Sequence, residues 1–178
     1  KQYCYLSDIK YITTQSSVGW GSITYDKNLD TKYNDGLITV IVDGKPKKFL
    51  KGVAAHATST VVYDITDYDY DYFTAYIGVD ASRGAGGNGV KFSIYTSVDG
   101  QNWNLKTPVS PQVMKGNTEA QFVKIDIKEA NYLKLYAHSN GNIDSDHSVY
   151  ANAKLIKEGY EENNSPADFI KTIDEYDN

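Results

Sequence analysis

Short apolar runs, most of them alternating with polar residues, recur along this chain and are separated by turn residues. The clearest lie at 37–42, 61–65, 73–79, 90–94, 123–127 and 133–137. A period of two residues is typical of a strand with one buried face. Many such strands with turns between them favour two packed antiparallel sheets. Because no run before residue 159 keeps a helical period, the sequence predicts an all-β fold, an antiparallel β-sandwich of the jelly-roll type.

Two Asp-Gly pairs predict turns within this strand series. Asp43-Gly44 follows the run 37–42, and Asp99-Gly100 follows the run 90–94. Asp-Gly is a strong signal for a tight hairpin, because glycine adopts positive φ without strain. We interpret the lysine-rich segment 45–48, which also contains a proline, as the solvated tip of a turn.

The chain has room for one well-buried domain, since it contains 178 residues. We predict a β-sandwich module over 1–158 and, over 159–178, a linker and the start of a following element. Ser165 and Pro166 are typical of a helix N-cap followed by the first helical residue. The chain opens on Lys1 without a signal peptide, so we expect a module covalently linked to other domains of a larger protein.

Charge and composition exclude several classes of partner. The net charge is −5 and the lysines are scattered, whereas nucleic-acid binding needs clustered positive charge. No apolar run approaches the length of a membrane span, so we expect no membrane insertion. Cys4 is the only cysteine, which excludes an internal disulfide and a cysteine-based metal cage but is compatible with secretion.

A histidine among small residues marks the entry to one predicted strand. Residues 51–65 read KGVAAHATSTVVYDI, and residues 73–80 read FTAYIGVD. This pattern around His56 resembles the NPCBM family, a group of non-catalytic sugar-binding β-sandwiches attached to secreted bacterial enzymes. The resemblance covers about residues 3–157 and implies a galactose-binding-like sandwich, located outside the cell or on its surface. It also implies that His56 contacts a sugar hydroxyl.

Arg83 and Asn88 lie in a glycine-rich loop between two predicted strands, at 80–89. The Arg83 guanidinium offers planar donors, and the Asn88 amide offers a donor and an acceptor. Taken alone, the loop favours the plainer interpretation, a solvated arginine beside an Asn-Gly turn. The similarity to galactose-binding sandwiches implies that both side chains and His56 hold a sugar with an axial hydroxyl.

The segment 146–153, DHSVYANA, resembles the closing motif of the family, Asp-His-x-x-Trp-Ala-Asp/Asn. Tyr150 stands where the family has tryptophan, which weakens its assignment as a stacking platform. Asp146 and His147 are candidates for sugar contact. The alternative is a buried, hydrogen-bonded pair that braces the last strand.

Trp20 has a glycine on each side, which lets the indole stand clear of the backbone. Such a ring either stacks on the apolar face of a pyranose or plugs one end of the sandwich. The Gly-Trp-Gly sequence, followed shortly by Asp-x-Asn, is similar to the N-terminal motif of the family.

That Asp-x-Asn contains Asp26 and Asn28, whose oxygen-bearing side chains suit a hard cation such as Ca²⁺. The spacing does not follow the EF-hand pattern. The resemblance implies one structural Ca²⁺ near this loop, with Asn152 supplying a further ligand. Ordinary Asx turns explain the same residues without a metal.

The resemblance implies a non-catalytic module that binds terminal galactose or N-acetylgalactosamine on host glycans, such as blood-group glycans, and targets an attached secreted hydrolase to them. The alternative is a structural or protein-contact module whose sugar site has degenerated. Glycoside hydrolysis normally needs two carboxylates across a cleft, one of them with a raised pKa. No carboxylate of this chain lies in an apolar sequence context that predicts such a shift, so we do not expect an enzyme.

Overall fold

The structure, a computed structural model, describes residues 1–107 and 112–161. Its strands, in chain order, are β1 (Tyr3–Tyr5), β2 (Thr24–Tyr25), β3 (Ile38–Val42), β4 (Lys45–Phe49), β5 (Gly52–Ala54), β6 (Ser59–Asp64), β7 (Tyr72–Val79), β8 (Lys91–Ser97), β9 (Asn104–Leu105), β10 (Gln121–Asp126), β11 (Tyr132–His138) and β12 (Ser148–Ile156). Within the described ranges only single 3-10 turns interrupt them. The predicted all-β class is confirmed.

Two antiparallel sheets and one hairpin make up the fold. The larger sheet has the order β10-β7-β12-β5-β2, with β1 added along the far end of β12. The smaller sheet has the order β6-β11-β8-β9. Strands β3 and β4 pair with each other as a hairpin, and a single parallel bridge joins Ile41 of β3 to Glu119. The predicted sandwich is therefore confirmed, with the hairpin as an additional layer.

The core lies between the two sheets and follows the alternation read from the sequence. On β11, Leu133 and Leu135 are fully buried while Lys134 between them points outward. Val61 on the neighbouring β6 pairs with Leu135 and is equally buried. Each such aliphatic side chain contributes about 1.5–3 kcal/mol when fully buried, so this interface supplies most of the driving force for folding.

The β3–β4 hairpin covers part of the outer face of the larger sheet. Ile38 and Phe49 pack against Ala54 and Ala151 in a second, smaller apolar cluster. The predicted turn at Asp43-Gly44 is confirmed, because both residues have positive φ and lie between the paired Val42 and Lys45. The interpretation of 45–48 as a turn tip is wrong, since these residues form β4. Pro46 is tolerated there because β4 has a strand partner on one side only.

The connection from β8 to β9 is longer than the tight hairpin expected at Asp99-Gly100. Six residues, 98–103, separate the two strands. The Asp99 carboxylate accepts hydrogen bonds from the backbone N–H groups of Gln101 and Asn102, both at 2.8 Å. These bonds hold the pKa of Asp99 well below its usual value. Asp99 therefore organises a wider loop instead of a two-residue turn.

The two ends of the sandwich have different roles. β7 and β12 are antiparallel, so the loop after β7 and the loop before β12 meet at one end. At the other end the Lys157 N–H donates to the Gln2 carbonyl at 2.9 Å.

No helix of the described residues is long and apolar enough to cross a bilayer. Most of the predicted linker at 159–178, including the N-cap at Ser165 and Pro166, lies outside the described residues.

Candidate functional site

An exposed indole covers two imidazoles at the loop end of the sandwich. Trp20 is 56% exposed, so it does not plug the core. Its ring centroid lies 5.7 Å from that of His56 and 6.3 Å from that of His147. The Gly19 N–H donates to the His56 carbonyl at 2.9 Å, and a Cβ at Gly19 would collide with the Ala57 carbonyl. Glycine at this position therefore allows the close approach that brings Trp20 over the histidines.

His56 lies beneath this indole in a defined tautomer. Its side chain is 4% exposed. Nδ1 lies 2.8 Å from the Ala57 carbonyl, which can only accept, so Nδ1 carries the proton. Nε2 is then left with a lone pair. Burial is the main cause that lowers the pKa of His56, and the positive charge of Arg83 lowers it further. The ring is therefore a neutral acceptor at neutral pH.

His147 completes the pair of imidazoles, with its ring centroid 5.2 Å from that of His56. It is buried, and its Nδ1 has no hydrogen-bond partner among the described residues. Burial first, and then the charges of Arg83 and His56, lower the pKa of His147 to about 4. Both histidines are thus uncharged over the physiological range, which suits hydrogen bonding to a neutral ligand.

Arg83 is held at the rim by the short turn that follows β7. Asp80, fully buried, accepts hydrogen bonds from the Ser82 N–H at 3.1 Å and the Thr39 N–H at 3.0 Å, which fixes the turn against β3. Nη1 of the Arg83 guanidinium lies 3.8 Å from Asp30 Oδ2. Its Nε is buried and has no partner in the part of the chain that the structure describes. Arg83 is therefore only partly neutralised and keeps donors for a ligand.

Asp30 is a further residue of the site that the sequence analysis did not predict. It is partly exposed, lies beside Arg83, and raises the pKa of His147 against the other influences on that ring. In the sequence it is one of several acidic residues in the segment 26–35. Local sequence does not show which of these carboxylates points towards a loop that follows a distant strand.

Asn88 lies at the outer edge of the same end of the fold. Its backbone carbonyl accepts a hydrogen bond from Asn140 Nδ2 at 2.9 Å. Gly87, next to it, packs against the backbone of Asp144, so the loop 80–89 lies on the loop 139–147. Asn88 is exposed, and none of its contacts within the described ranges joins it to the Trp20, His56 or Arg83 side chains.

Asp146 and His147 are both buried, but not as the hydrogen-bonded pair offered as the alternative. Asp146 is 1% exposed, and its Oδ2 has no hydrogen-bond partner among the residues described. Its backbone carbonyl accepts from the Ala57 N–H at 2.9 Å, next to His56. Burial first, and then the charge of Asp144, raise the pKa of Asp146 to about 7, so the expectation that no carboxylate of the chain has a raised pKa is wrong for this residue.

Tyr150 does not reach the site. It is fully buried between the sheets, where its ring packs edge-on against Phe92 with centroids 5.8 Å apart. Its candidate role as a sugar-binding residue is therefore wrong for this structure. Tyr150 belongs to the apolar cluster between the two sheets.

Two of the three candidate calcium ligands, Asp26 and Asn152, lie beside the start of β5, and the third, Asn28, donates through its side chain to the Tyr33 and Leu37 carbonyls. Asp26 accepts from the Gly52 N–H at 3.0 Å and from Lys51 Nζ at 2.8 Å. The Asn152 N–H donates to the Lys51 carbonyl at 2.8 Å. Asn28 and Asn152 are 2% and 3% exposed, and their Oδ1 atoms have no partner within the described ranges.

These orphaned amide oxygens fit a hard cation better than Asp26 does. Both carboxylate oxygens of Asp26 are already engaged, one of them by the ammonium of Lys51, whereas an unsatisfied buried oxygen costs about 1–3 kcal/mol. The described residues hold no cluster of three or more His, Cys, Asp or Glu side chains suited to a metal. Any cation here would depend on neutral amide and carbonyl oxygens, which Ca²⁺ accepts.

A family model matches nearly the whole described part of the chain. It is the model of the NPCBM/NEW2 domain, and it matches residues 2–156. No curated protein matches the chain at a significant level.

Solved structures of CBM51 modules share the fold. The CBM51 of GH95 from Clostridium perfringens, solved in complex with methyl-galactose, is 31% identical, with a TM-score of 0.72, and the match covers 86% of this chain and 99% of that one. The tandem CBM51 modules of Sp3GH98, a family 98 glycoside hydrolase from Streptococcus pneumoniae, are 27% identical, with a TM-score of 0.73, over 92% of this chain and 50% of that one. The CBM51-2 and INT domains of Clostridium perfringens ZmpB, solved with GlcNAc, are 24% identical, with a TM-score of 0.73, over 88% of this chain and 32% of that one. That last likeness shows the fold alone, and in the last two cases this chain spans half or less of the longer structure.

Proposed function

The chain belongs to the NPCBM/NEW2 domain family, and from this premise we propose that it is a non-catalytic carbohydrate-binding module for terminal galactose or N-acetylgalactosamine. The observation that carries the proposal is the exposed Trp20 indole lying over the neutral rings of His56 and His147. The alternative, a structural or protein-contact module, gives no reason for keeping this aromatic surface beside buried polar atoms that lack partners.

The arrangement offers what a neutral pyranose needs. The exposed part of the indole presents a flat apolar surface for the apolar face of a sugar. Nε2 of His56 is a free acceptor, and the Arg83 guanidinium supplies donors. A sugar hydroxyl both donates and accepts, so it pairs with one of each. Aromatic contact together with a few placed polar groups is the usual composition of a small-molecule site.

A galactose-type sugar is favoured over a glucose-type sugar on two grounds. A 31% identical CBM51 module was solved with methyl-galactose. In addition, His56 and Arg83 belong to loops at one end of the sandwich, from which an acceptor and a donor converge on a hydroxyl that projects out of the sugar plane. Burial makes such hydrogen bonds selective, because an epimer leaves the protein groups unpaired.

Binding without catalysis accounts for the carboxylates near the site. A glycosidase places two carboxyl groups on either side of the bond it cleaves. Asp30 is engaged with Arg83, and Asp146 is 1% exposed, so it offers almost no surface to a substrate. The raised pKa of Asp146 therefore follows from burial without implying an acid catalyst.

The site faces away from the ends of the described fold. His147 precedes β12, whereas Lys157, just after that strand, pairs with Gln2. The nine residues of β12 span about 30 Å. A domain joined beyond either end would leave the sugar site free, as targeting of an attached secreted hydrolase to glycans requires.

We also propose a structural Ca²⁺ held by Asn28 and Asn152 through their side-chain oxygens. Their two unpartnered buried Oδ1 atoms support this. A bound ion would link the 26–37 loop, which contains Asn28 and Asp30, to β12, which contains Asn152. It would thereby help to fix the position of Asp30.

Calorimetric titration with methyl-galactoside and methyl-glucoside tests the sugar assignment. We expect saturable binding of the galactoside and at least tenfold weaker binding of its epimer. Equal affinity, or the absence of binding to any galactose-terminated glycan on an array, would refute the proposal and favour the structural alternative.

A further inference from the structure

The outer face of the smaller sheet carries a lysine surrounded by aromatic rings. Strand alternation places Tyr132, Lys134 and Tyr136 of β11 on this face. Tyr95 of β8 lies directly opposite Lys134 in the register, and Trp103 of the following loop reaches the same place. All five side chains are half-buried. We call these residues the lysine face.

The ammonium of Lys134 has aromatic neighbours but no acidic one. Nζ lies 4.3 Å from the centroid of the Trp103 ring and 4.8 Å from that of Tyr95. Among the described residues it makes no ion pair and no hydrogen bond. By contrast, Lys48 and Lys51 each hold an aspartate within 3.1 Å. Burial lowers the pKa of Lys134, as expected for a partly desolvated cation without a counter-ion.

The surroundings of the lysine face do not supply the missing negative charge. Lys91 lies on the same side of the sheet, opposite the exposed His138. Asp64 lies at the far end, opposite Tyr132, and its carboxylate is bound to Thr66. Asp99 lies in the loop that carries Trp103, and its carboxylate is engaged by the backbone N–H groups of Gln101 and Asn102.

We propose that the lysine face is a second saccharide-binding site, selective for acidic sugars whose carboxylate or sulfate pairs with Lys134. The three ammonium donors form charge-assisted hydrogen bonds with such a group. The rings of Tyr95, Trp103 and Tyr136 contact the apolar parts of the sugar. Because the ammonium is partly desolvated, its attraction to an anion is stronger than that of a lysine surrounded by water.

This site is independent of the one at the loop end. The loop-end site uses neutral imidazoles and a partly neutralised arginine, whereas the lysine face uses a cation that has aromatic neighbours but no acidic partner among the described residues. Among the described contacts none joins Lys134 to Trp20, His56 or Arg83. A chain that binds galactosides only would leave the proposal for the first site intact and overturn this one.

Titration of the full chain with defined oligosaccharides tests the proposal. The probes are a uronic-acid oligosaccharide, its neutral methyl ester and a sulfated oligosaccharide of similar length, each measured at low and at high salt. We expect one or both anionic probes to bind, the ester to bind at least tenfold more weakly than the free acid, and high salt to weaken the anionic probes. The two anionic probes distinguish a carboxylate ligand from a sulfate ligand.

Two variants locate the binding. Lys134→Ala should weaken the anionic probe at least tenfold, and Lys124→Ala should not. Lys124 is a matched control, because its Nζ lies 4.4 Å from the Tyr72 ring centroid on the other sheet. Equal losses in the two variants would mean general charge attraction and would overturn the site. So would loss of the anionic probe in Arg83→Ala, or no binding of either anionic probe to the unaltered chain.

Discussion

The Trp20 indole and the His147 imidazole lie nearly parallel, with an interplanar angle of 16° and ring centroids 6.3 Å apart. The two residues come from loops at opposite ends of the sequence, and the indole remains 56% exposed. Stacking on the neutral His147 ring fixes the plane of the indole without covering it completely. An aromatic surface fixed in advance loses little conformational entropy when a sugar binds.

Replacement of Trp20 by alanine should remove the stacking surface. We expect affinity for methyl-galactoside to fall at least tenfold, which corresponds to about 1.4 kcal/mol. The melting temperature should change little, because the ring is mostly exposed. Phe122→Ala is the matched control, since Phe122 is a 43% exposed aromatic residue on β10, the edge strand of the larger sheet, and its ring packs against Tyr76. Similar losses in both variants, measured by calorimetry, would contradict a specific role for Trp20.

The contributions of Arg83 and Asn88 to galactoside binding can be tested separately. Arg83→Ala should weaken galactoside binding by about 1–3 kcal/mol, because a buried hydroxyl of the ligand loses its donor. Arg83→Lys should recover little of the lost affinity, since an ammonium lacks the planar fork of a guanidinium.

Asn88→Ala should weaken galactoside binding in the same range if the exposed amide turns towards the ligand, with little effect on the melting temperature. Wild-type affinity in Asn88→Ala would remove that residue from the site, and wild-type affinity in Arg83→Ala would contradict the site itself.

His56 should affect both stability and selectivity. It is 4% exposed and donates to the Ala57 carbonyl, so His56→Ala should lower the melting temperature. If Nε2 accepts from the axial hydroxyl, the same variant should also lose preference for galactoside over glucoside. Melting and both affinities are measured on one sample. A melting shift with unchanged selectivity in the folded fraction means that His56 is only structural.

The sequence predicted strand β11 correctly because one face of the strand is buried and the other is open, which produces an alternating pattern. It also predicted the turn at Asp43-Gly44, because a turn depends on neighbouring residues only. β12 was harder, since all nine of its residues are buried. The β3–β4 hairpin covers its outer face, so no alternation shows which way Tyr150 points. Asp30 depends on a contact with Arg83 across the fold, which local sequence does not contain. The family motifs located Trp20, His56 and His147, but their ring-to-ring geometry follows from long-range packing.

Asp146 should give the stability of the fold an unusual pH dependence. Its pKa is raised from 3.8 to about 7 in the folded state. The folded chain therefore holds a proton that the unfolded chain has released between these values, and this contribution is lost as the pH rises through that window. The pKa of His147 is lowered from 6.5 to about 4, which acts in the opposite direction, so stability from that group is lost as the pH falls.

The two contributions partly cancel in unaltered protein and separate in variants. Asp146→Asn should gain stability relative to the unaltered chain as the pH rises from about 4 to about 7, because the unaltered chain alone loses the contribution of Asp146. Asp144→Asn should shift that effect to lower pH, since the charge of Asp144 contributes to the raised pKa. Melting temperatures across this range check both. Parallel curves for Asp146→Asn and the unaltered chain would contradict the assignment.

The proposed calcium should appear as stability that depends on the ion. A ligand that binds only the folded state stabilises it by mass action, so excess chelator should lower the melting temperature and added Ca²⁺ should restore it. Asn152→Gly should abolish this response. Asn152 has a φ of 57°, which glycine adopts without strain, so the substitution removes the side-chain oxygen while keeping the backbone. Asn140→Gly, at a φ of 55° in the loop at the sugar-site end, is the matched control and should keep the response. Melting that chelator leaves unchanged, with no bound ion found by elemental analysis, would show that Asn28 and Asn152 hold no metal.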